Sequence, residues 1–148
     1  MSDELQNRTA SANGKAQSYH DLLVWQKGIV LAKLIYKLTT AFPSEEKFGL
    51  ISQMRRAAVS VPSNIAEGQA RHTTGEFILF VSHAEGSLAE LDTQLTLAIE
   101  LHFLTAAQAK PSADLISELR RMLNGLRRAV NGQKTKLVTH HTSLITKP

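Results

Sequence analysis

The sequence contains no cysteine. That one absence removes disulfides, thiolate metal ligands and cysteine nucleophiles together, and it suits a reducing compartment. Aromatic residues make up 5% of the chain, with 4 prolines and 8 glycines, too few of either kind for a β-sandwich or a low-complexity chain. No uninterrupted apolar run approaches the roughly 18 residues that a membrane span needs. The opening stretch, MSDELQNRTASANGKAQ, carries acids at Asp3 and Glu4 and has no basic segment followed by an apolar one, so it does not read as a secretory signal. A cytoplasmic protein with no membrane role is the expectation. What the chain does have is 43% apolar residues in a length of 148, enough to bury one ordinary core.

Catalytic signatures are missing as well. A G-x-S-x-G elbow, a G-x-x-x-x-G-K-[ST] phosphate loop, an H-E-x-x-H pair and a G-x-G-x-x-G turn are all absent, which argues against the common nucleophilic, nucleotide-dependent and zinc enzymes. His20, His72, His83, His102, His140 and His141 are scattered. His83 with Glu85 and Glu90 lacks the Glu-x-x-His spacing of a di-iron bundle, and the adjacent His140 and His141 would point in different directions on a helix. The expectation is a protein that is not an enzyme, with no catalytic residue, no metal site and no cofactor.

Four stretches show the helical period, separated by clear breaks, and no strand-like alternation competes. In the first, from about Asp21 to Ala41, Leu22, Trp25, Ile29, Ala32 and Tyr36 recur at three- and four-residue steps beside Leu23, Val30, Leu34 and Leu38. Asp21 is a candidate N-cap, and Phe42-Pro43 a natural end, because the residue before proline is pushed out of the helical region. The second starts at Ser44, with Glu45 and Glu46 at the positive end of its dipole, and carries Leu50, Met54, Ala57, Val61 and Ile65 to a stop at Gly68. Pro62 falls inside it and predicts a kink, with Asn64 placed to bond the carbonyl that the proline frees.

The third stretch, about Thr74 to Phe103, places Phe77, Val81, Ala84, Leu88, Leu91, Leu95 and Ala98 at alternating four- and three-residue steps, the seam of a helical bundle. The fourth, after Pro111, repeats the rhythm with Leu115, Leu119, Met122, Leu126 and Ala129 and is expected to end near Gly132. Trp25 and the phenylalanines sit at core spacing and read as packing. The expected fold is all-α, an up-down-up-down antiparallel four-helix bundle over residues 19–132. Residues 1–18 are expected to be a disordered N-terminal segment and 133–148 a flexible basic tail, since neither sustains an apolar face.

Charge is distributed unevenly. Residues 1–110 hold 10 Lys and Arg against 11 Asp and Glu, whereas 111–148 hold 7 against 2, so the net +4 comes from the C-terminal part. Arg120, Arg121, Arg127 and Arg128 form two doublets seven residues apart, read as lying away from the Leu119, Met122, Leu126 seam, and Lys134 and Lys136 extend the stripe. Arg55 and Arg56 lie off the seam of the second helix, with Arg71 after it. The planar guanidinium fork suits phosphate. It equally suits the carboxylates of Glu67, Glu85, Glu90 and Glu118, and for Arg55 and Arg56 structural pairing and ligand contact stand level. A basic segment on a near-neutral body also fits an acidic partner face or plain solvation.

The strings Leu22-Leu23-Val24-Trp25-Gln26, Phe42-Pro43 with Phe48-Gly49-Leu50, Gln53-Met54-Arg55-Arg56-Ala57-Ala58, Val61-Pro62-Ser63-Asn64-Ile65-Ala66-Glu67-Gly68 and Gly86-Ser87-Leu88-Ala89-Glu90-Leu91 resemble, in order, the signature blocks of the bundle family related to the 23S ribosomal RNA intervening-sequence proteins. They cover about residues 19–130. A more distant resemblance is to the accessory variability protein of diversity-generating retroelements. These resemblances imply a homopentameric ring without catalytic activity. The retroelement relative implies binding of RNA or DNA through a basic surface and, in a retroelement context, partnership with a reverse transcriptase. Gly28, where the family more often has alanine, suggests close packing, and Phe48 replaces a frequent tyrosine.

Two functional expectations follow. One is a nucleic-acid-binding module that uses Arg55, Arg56, Arg120, Arg121, Arg127, Arg128, Lys134 and Lys136 on phosphate backbones. The other is a scaffold that binds a protein and has no nucleic-acid role.

Overall fold

Leu50, Met54, Ala57, Val61 and Ile65 are buried on α2 (Leu50–Ala70), and they meet Val81, Ala84, Leu88, Leu91, Leu95 and Ala98 of α3 (Thr74–Glu100). Both stripes agree with the spacing, because side chains three and four residues apart share a helix face. The computed structural model describes the backbone of residues 18–145 and the side chains of residues 18–132. Two further helices, α1 (Leu23–Thr39) and α4 (Ala106–Ile145), complete an all-α fold with no strand among the described residues. Around the core, α1 packs on α2, α2 on α3, α3 on α4 and α4 on α1, and the diagonal pairs are not adjacent. The Phe42 and Phe103 rings, with centroids 5.6 Å apart, join the α1–α2 connection to the α3–α4 connection at one end.

The helix ends depart from the sequence reading. Asp21 does not cap α1. It belongs to a 3-10 turn, Tyr19–Asp21, whose own cap is the Ser18 hydroxyl, and α1 starts after Leu22 without a side-chain cap. Ser44–Glu46 likewise forms a separate 3-10 turn rather than the start of α2, and Glu46 reaches forward so that its carboxylate accepts from the Leu50 backbone N–H at 3.0 Å. A negative group at that position favours the helix dipole. At α3 the Thr73 hydroxyl accepts from the Glu76 N–H at 3.2 Å, an N-cap supported by the Glu76 carboxylate.

Pro111 does not mark the start of α4. Thr105 and Gln108 cap each other's backbone N–H groups at 3.1 and 2.8 Å, which begins the helix five residues before the proline. Gly132 does not end it, and α4 continues to Ile145. Residues 1–17 and 146–148, and the side chains of 133–145 including Lys134 and Lys136, lie outside the described residues. The expectation of disorder at 1–18 falls almost wholly there, and of the tail expected at 133–148 the described backbone is helical through Ile145.

Close approach explains two glycines. A Cβ on Gly28 would stand 3.2 Å from Pro62 Cβ, and one on Gly68 would stand 2.9 Å from Phe80 Cβ. Gly68 therefore lets α2 and α3 close on each other and lies inside the helix it was expected to end. Pro62 is buried within α2 against α1. Asn64 donates to the Ser60 carbonyl at 2.8 Å and Ser63 to that of Val59 at 2.8 Å, so Asn64 does not take the Ala58 carbonyl that Pro62 frees.

At the end of α3, His102 has φ 62°, and the Phe103 and His102 N–H groups return to the Ala98 and Ile99 carbonyls at 2.9 and 3.0 Å. This is a left-handed helix stop that glycine normally fills. A His102→Gly variant is expected to raise unfolding stability by up to about 1 kcal/mol, because a side chain with a Cβ pays that much in the left-handed region. Urea denaturation checks it.

Two apolar stripes are rotated from their expected centres. On α1 the buried column is Val24, Gly28, Leu31, Ile35 and Thr39, while Ile29, Tyr36, Leu23 and Val30 are exposed. On α4 the buried column is Ala109, Ser112, Ile116, Leu119 and Leu123, with Leu115, Met122 and Leu126 at its edge and Ala129 exposed. In both helices the sequence offers more apolar columns than one neighbour pair covers.

Candidate nucleic-acid interface

Two of the expected arginines are engaged inside the subunit. Arg127 is half-buried against α3: its Nη2 donates to Ser82 Oγ at 2.8 Å and pairs with Glu85 Oε2 at 3.0 Å. This corrects the expectation that both doublets lie wholly away from the packed side. Neighbouring residues on a helix differ by roughly 100°, so Arg120 and Arg127 flank the α3 side while Arg121 and Arg128 look outward. Far enough along α4, the flanking position meets the acid of α3.

Arg55 holds the end of α1. Its Nε donates to Thr39 Oγ1 at 3.0 Å, its Nη2 approaches the Tyr36 carbonyl at 3.4 Å, and its guanidinium lies 4.6 Å from the Tyr36 ring centre. Thr39 is buried and donates its own proton to the Ile35 carbonyl at 2.7 Å. A cation at the last carbonyls of a helix is favoured by the dipole as well as by the hydrogen bonds. An Arg55→Ala variant is expected to lose about 1 kcal/mol of stability. Its nucleic-acid affinity should stay within about twofold of the parent at the same salt concentration, and paired urea and binding titrations test the two halves.

Arg120, Arg121 and Arg128 are exposed on α4, and none has an ion-pair partner among the described residues. Arg56 is exposed on α2 in the same condition. Because α2 and α4 are not adjacent helices, Arg56 does not join the α4 group within one subunit. The acids that could have neutralised the α4 group are committed elsewhere: Glu118 to Lys27 of α1, Glu85 to Arg127, and Asp114 to Lys110 at 3.0 Å. Glu67 pairs with Arg71 at 3.6 Å, and the Arg71 guanidinium also covers the Phe80 ring at 4.8 Å.

Sequence reasoning missed the Lys27–Glu118 link between α1 and α4. It joins residues far apart in the chain, and no local pattern announces it. Among the described residues no group of three or more His, Asp or Glu could hold a metal ion, and no helix is long and apolar enough to cross a membrane.

The chain is similar to known proteins in two comparisons. The family model described as 23S rRNA-intervening sequence protein matches residues 20–125. A crystal structure of a protein with unknown function from the S23 ribosomal protein family, from Bacteroides thetaiotaomicron, superposes with a TM-score of 0.65 at 22% identity, covering 71% of this chain and 98% of that one. At that identity the likeness shows the fold. No curated protein matches the chain.

Proposed function

The chain belongs to the 23S rRNA-intervening sequence protein family, and on that premise we propose that it is a non-enzymatic, homo-oligomeric four-helix bundle that binds RNA through the outer face of α4. In this reading the helices run up-down-up-down, supported by the short connections 71–73 and 101–105 and by the cyclic order of packing. The assembly is a homopentamer in a cytoplasmic setting, with no cofactor. Where the gene sits in a retroelement, a reverse transcriptase is the protein partner.

One observation carries the reading: Arg120, Arg121 and Arg128 are exposed together while the nearby acids are paired with other cations. Three guanidinium groups free to donate in pairs suit phosphate oxygens. Repetition around a closed ring multiplies that field, which is how a chain of net charge +4 acquires a basic surface. Recognition of this kind reads backbone rather than base sequence.

The scaffold reading draws on a different observation, the exposed Leu23, Ile29, Val30 and Tyr36 of α1, which offer apolar surface to a protein. A titration with labelled single-stranded and structured RNA at about 50 and 200 mM salt separates the two, because several phosphate contacts make affinity fall by orders of magnitude over that interval. Steeply salt-dependent binding supports the α4 reading. No binding at the lower salt overturns it and leaves the scaffold.

A further inference from the structure

A second surface of the molecule lies at the start of α2. Phe48 stands just before α2 and is 90% exposed. An aromatic ring left in water forgoes most of the free energy its burial would supply. The Lys47 ammonium lies 5.6 Å from the Phe48 ring centre, so a cation and an apolar ring project together from one short loop. Lys47 has no ion-pair partner among the described residues.

Beside this loop, α2 and α3 leave an open groove of about 490 Å³ whose walls include Leu50, Ala89, Glu90, Gln94 and Leu97. Gln94 is 6% exposed. It spends its amide protons on Glu90 Oε1 at 3.2 Å, and its own carbonyl oxygen is buried without a donor. That acceptor is left without the hydrogen bond it would have in water. Glu90 has no cation partner among the described residues either. The groove thus presents apolar walls and the exposed carboxylate of Glu90, and Phe48, standing in solvent, does not occupy the groove of its own subunit.

We propose that Lys47 and Phe48 of one subunit dock into the α2–α3 groove of a second copy, the ring against Leu50 and Leu97 and the ammonium toward Glu90. Charge and polarity match: a cation beside an aromatic ring meets a carboxylate beside aliphatic walls. The proposal rests on the homo-oligomer part of the functional reading, to which it supplies a contact surface.

Sedimentation velocity on the full chain tests it, with Phe48→Ala, Lys47→Glu, Glu90→Lys and the double reversal Lys47→Glu with Glu90→Lys. All three positions are exposed, so the helical circular dichroism should be unchanged. Each single variant is expected to weaken self-association roughly tenfold or more, as removal of an interface anchor does, and the double reversal to restore it. An oligomeric parent whose variants sediment unaltered overturns this surface and leaves the homo-oligomer in place. A monomeric parent overturns both and opens the groove to a segment of another protein.

Discussion

Replacing Arg120, Arg121 and Arg128 together with alanine is expected to flatten the salt dependence of RNA binding by about 0.7 to 0.9 in log–log slope for each phosphate that is no longer neutralised. If two neighbouring subunits of an oligomer engage one RNA, about six phosphates are neutralised by these arginines. The parent's affinity should then fall roughly a thousandfold between 50 and 200 mM salt, and the variant's much less. The variant should also bind at least tenfold more weakly at about 100 mM salt, since phosphate neutralisation dominates such affinities. Arg127 is left untouched because it pairs with Glu85 and Ser82, and its removal would mix a packing effect with a binding one. Filter binding or fluorescence anisotropy across a salt series measures the slope directly. A triple variant that folds normally and keeps the parental slope removes α4 from the interface.

Leu88→Ala should cost about 2 to 5 kcal/mol, the range for deleting a fully buried leucine side chain and leaving a cavity. Leu88 is completely buried at the middle of α3, which packs against both α2 and α4. Rigid helices on either side limit how far the site can collapse, and this places the loss in the upper part of the range. In urea the midpoint should fall by roughly 1 to 3 M. Leu79→Ala supplies the comparison: the same chemistry at a position that is 52% exposed on the same helix should change stability by about 0.5 kcal/mol or less. Both variants are compared at one protein concentration, because an associating protein gains apparent stability by mass action. Equal losses at the two positions would show that α3 does not hold the core.

Helix propensity and period are written locally, and they are readable. The α2 and α3 stripes, the all-α class and the existence of four helices follow from residues three and four apart, because one turn of helix fixes which of them share a face. Helix ends are less readable. Pro111 and Gly132 look like boundaries, yet the reciprocal cap of Thr105 and Gln108 begins α4 upstream of the proline. A single glycine costs a helix only about 1 kcal/mol, and α4 runs on through Gly132.

The candidate site divides in the same way. That arginines cluster near the C-terminal end is a property of the sequence. Which of them are free is not, because Arg127 meets Glu85 and Arg55 meets the end of α1 through contacts between residues far apart in the chain. The apolar columns of α1 and α4 are visible as sets, but their centres are set by the neighbours: Gly28 lies against Pro62, and Leu119 and Leu123 turn inward with Ile116. The sequence alone determined that the chain is helical and where two of its four packed faces lie, since a helix carries its period within itself. Tertiary structure alone decided how α1 and α4 are rotated, which cations are paired and that Phe48 stands in solvent beside an unfilled groove, since each depends on what another helix brings to that place.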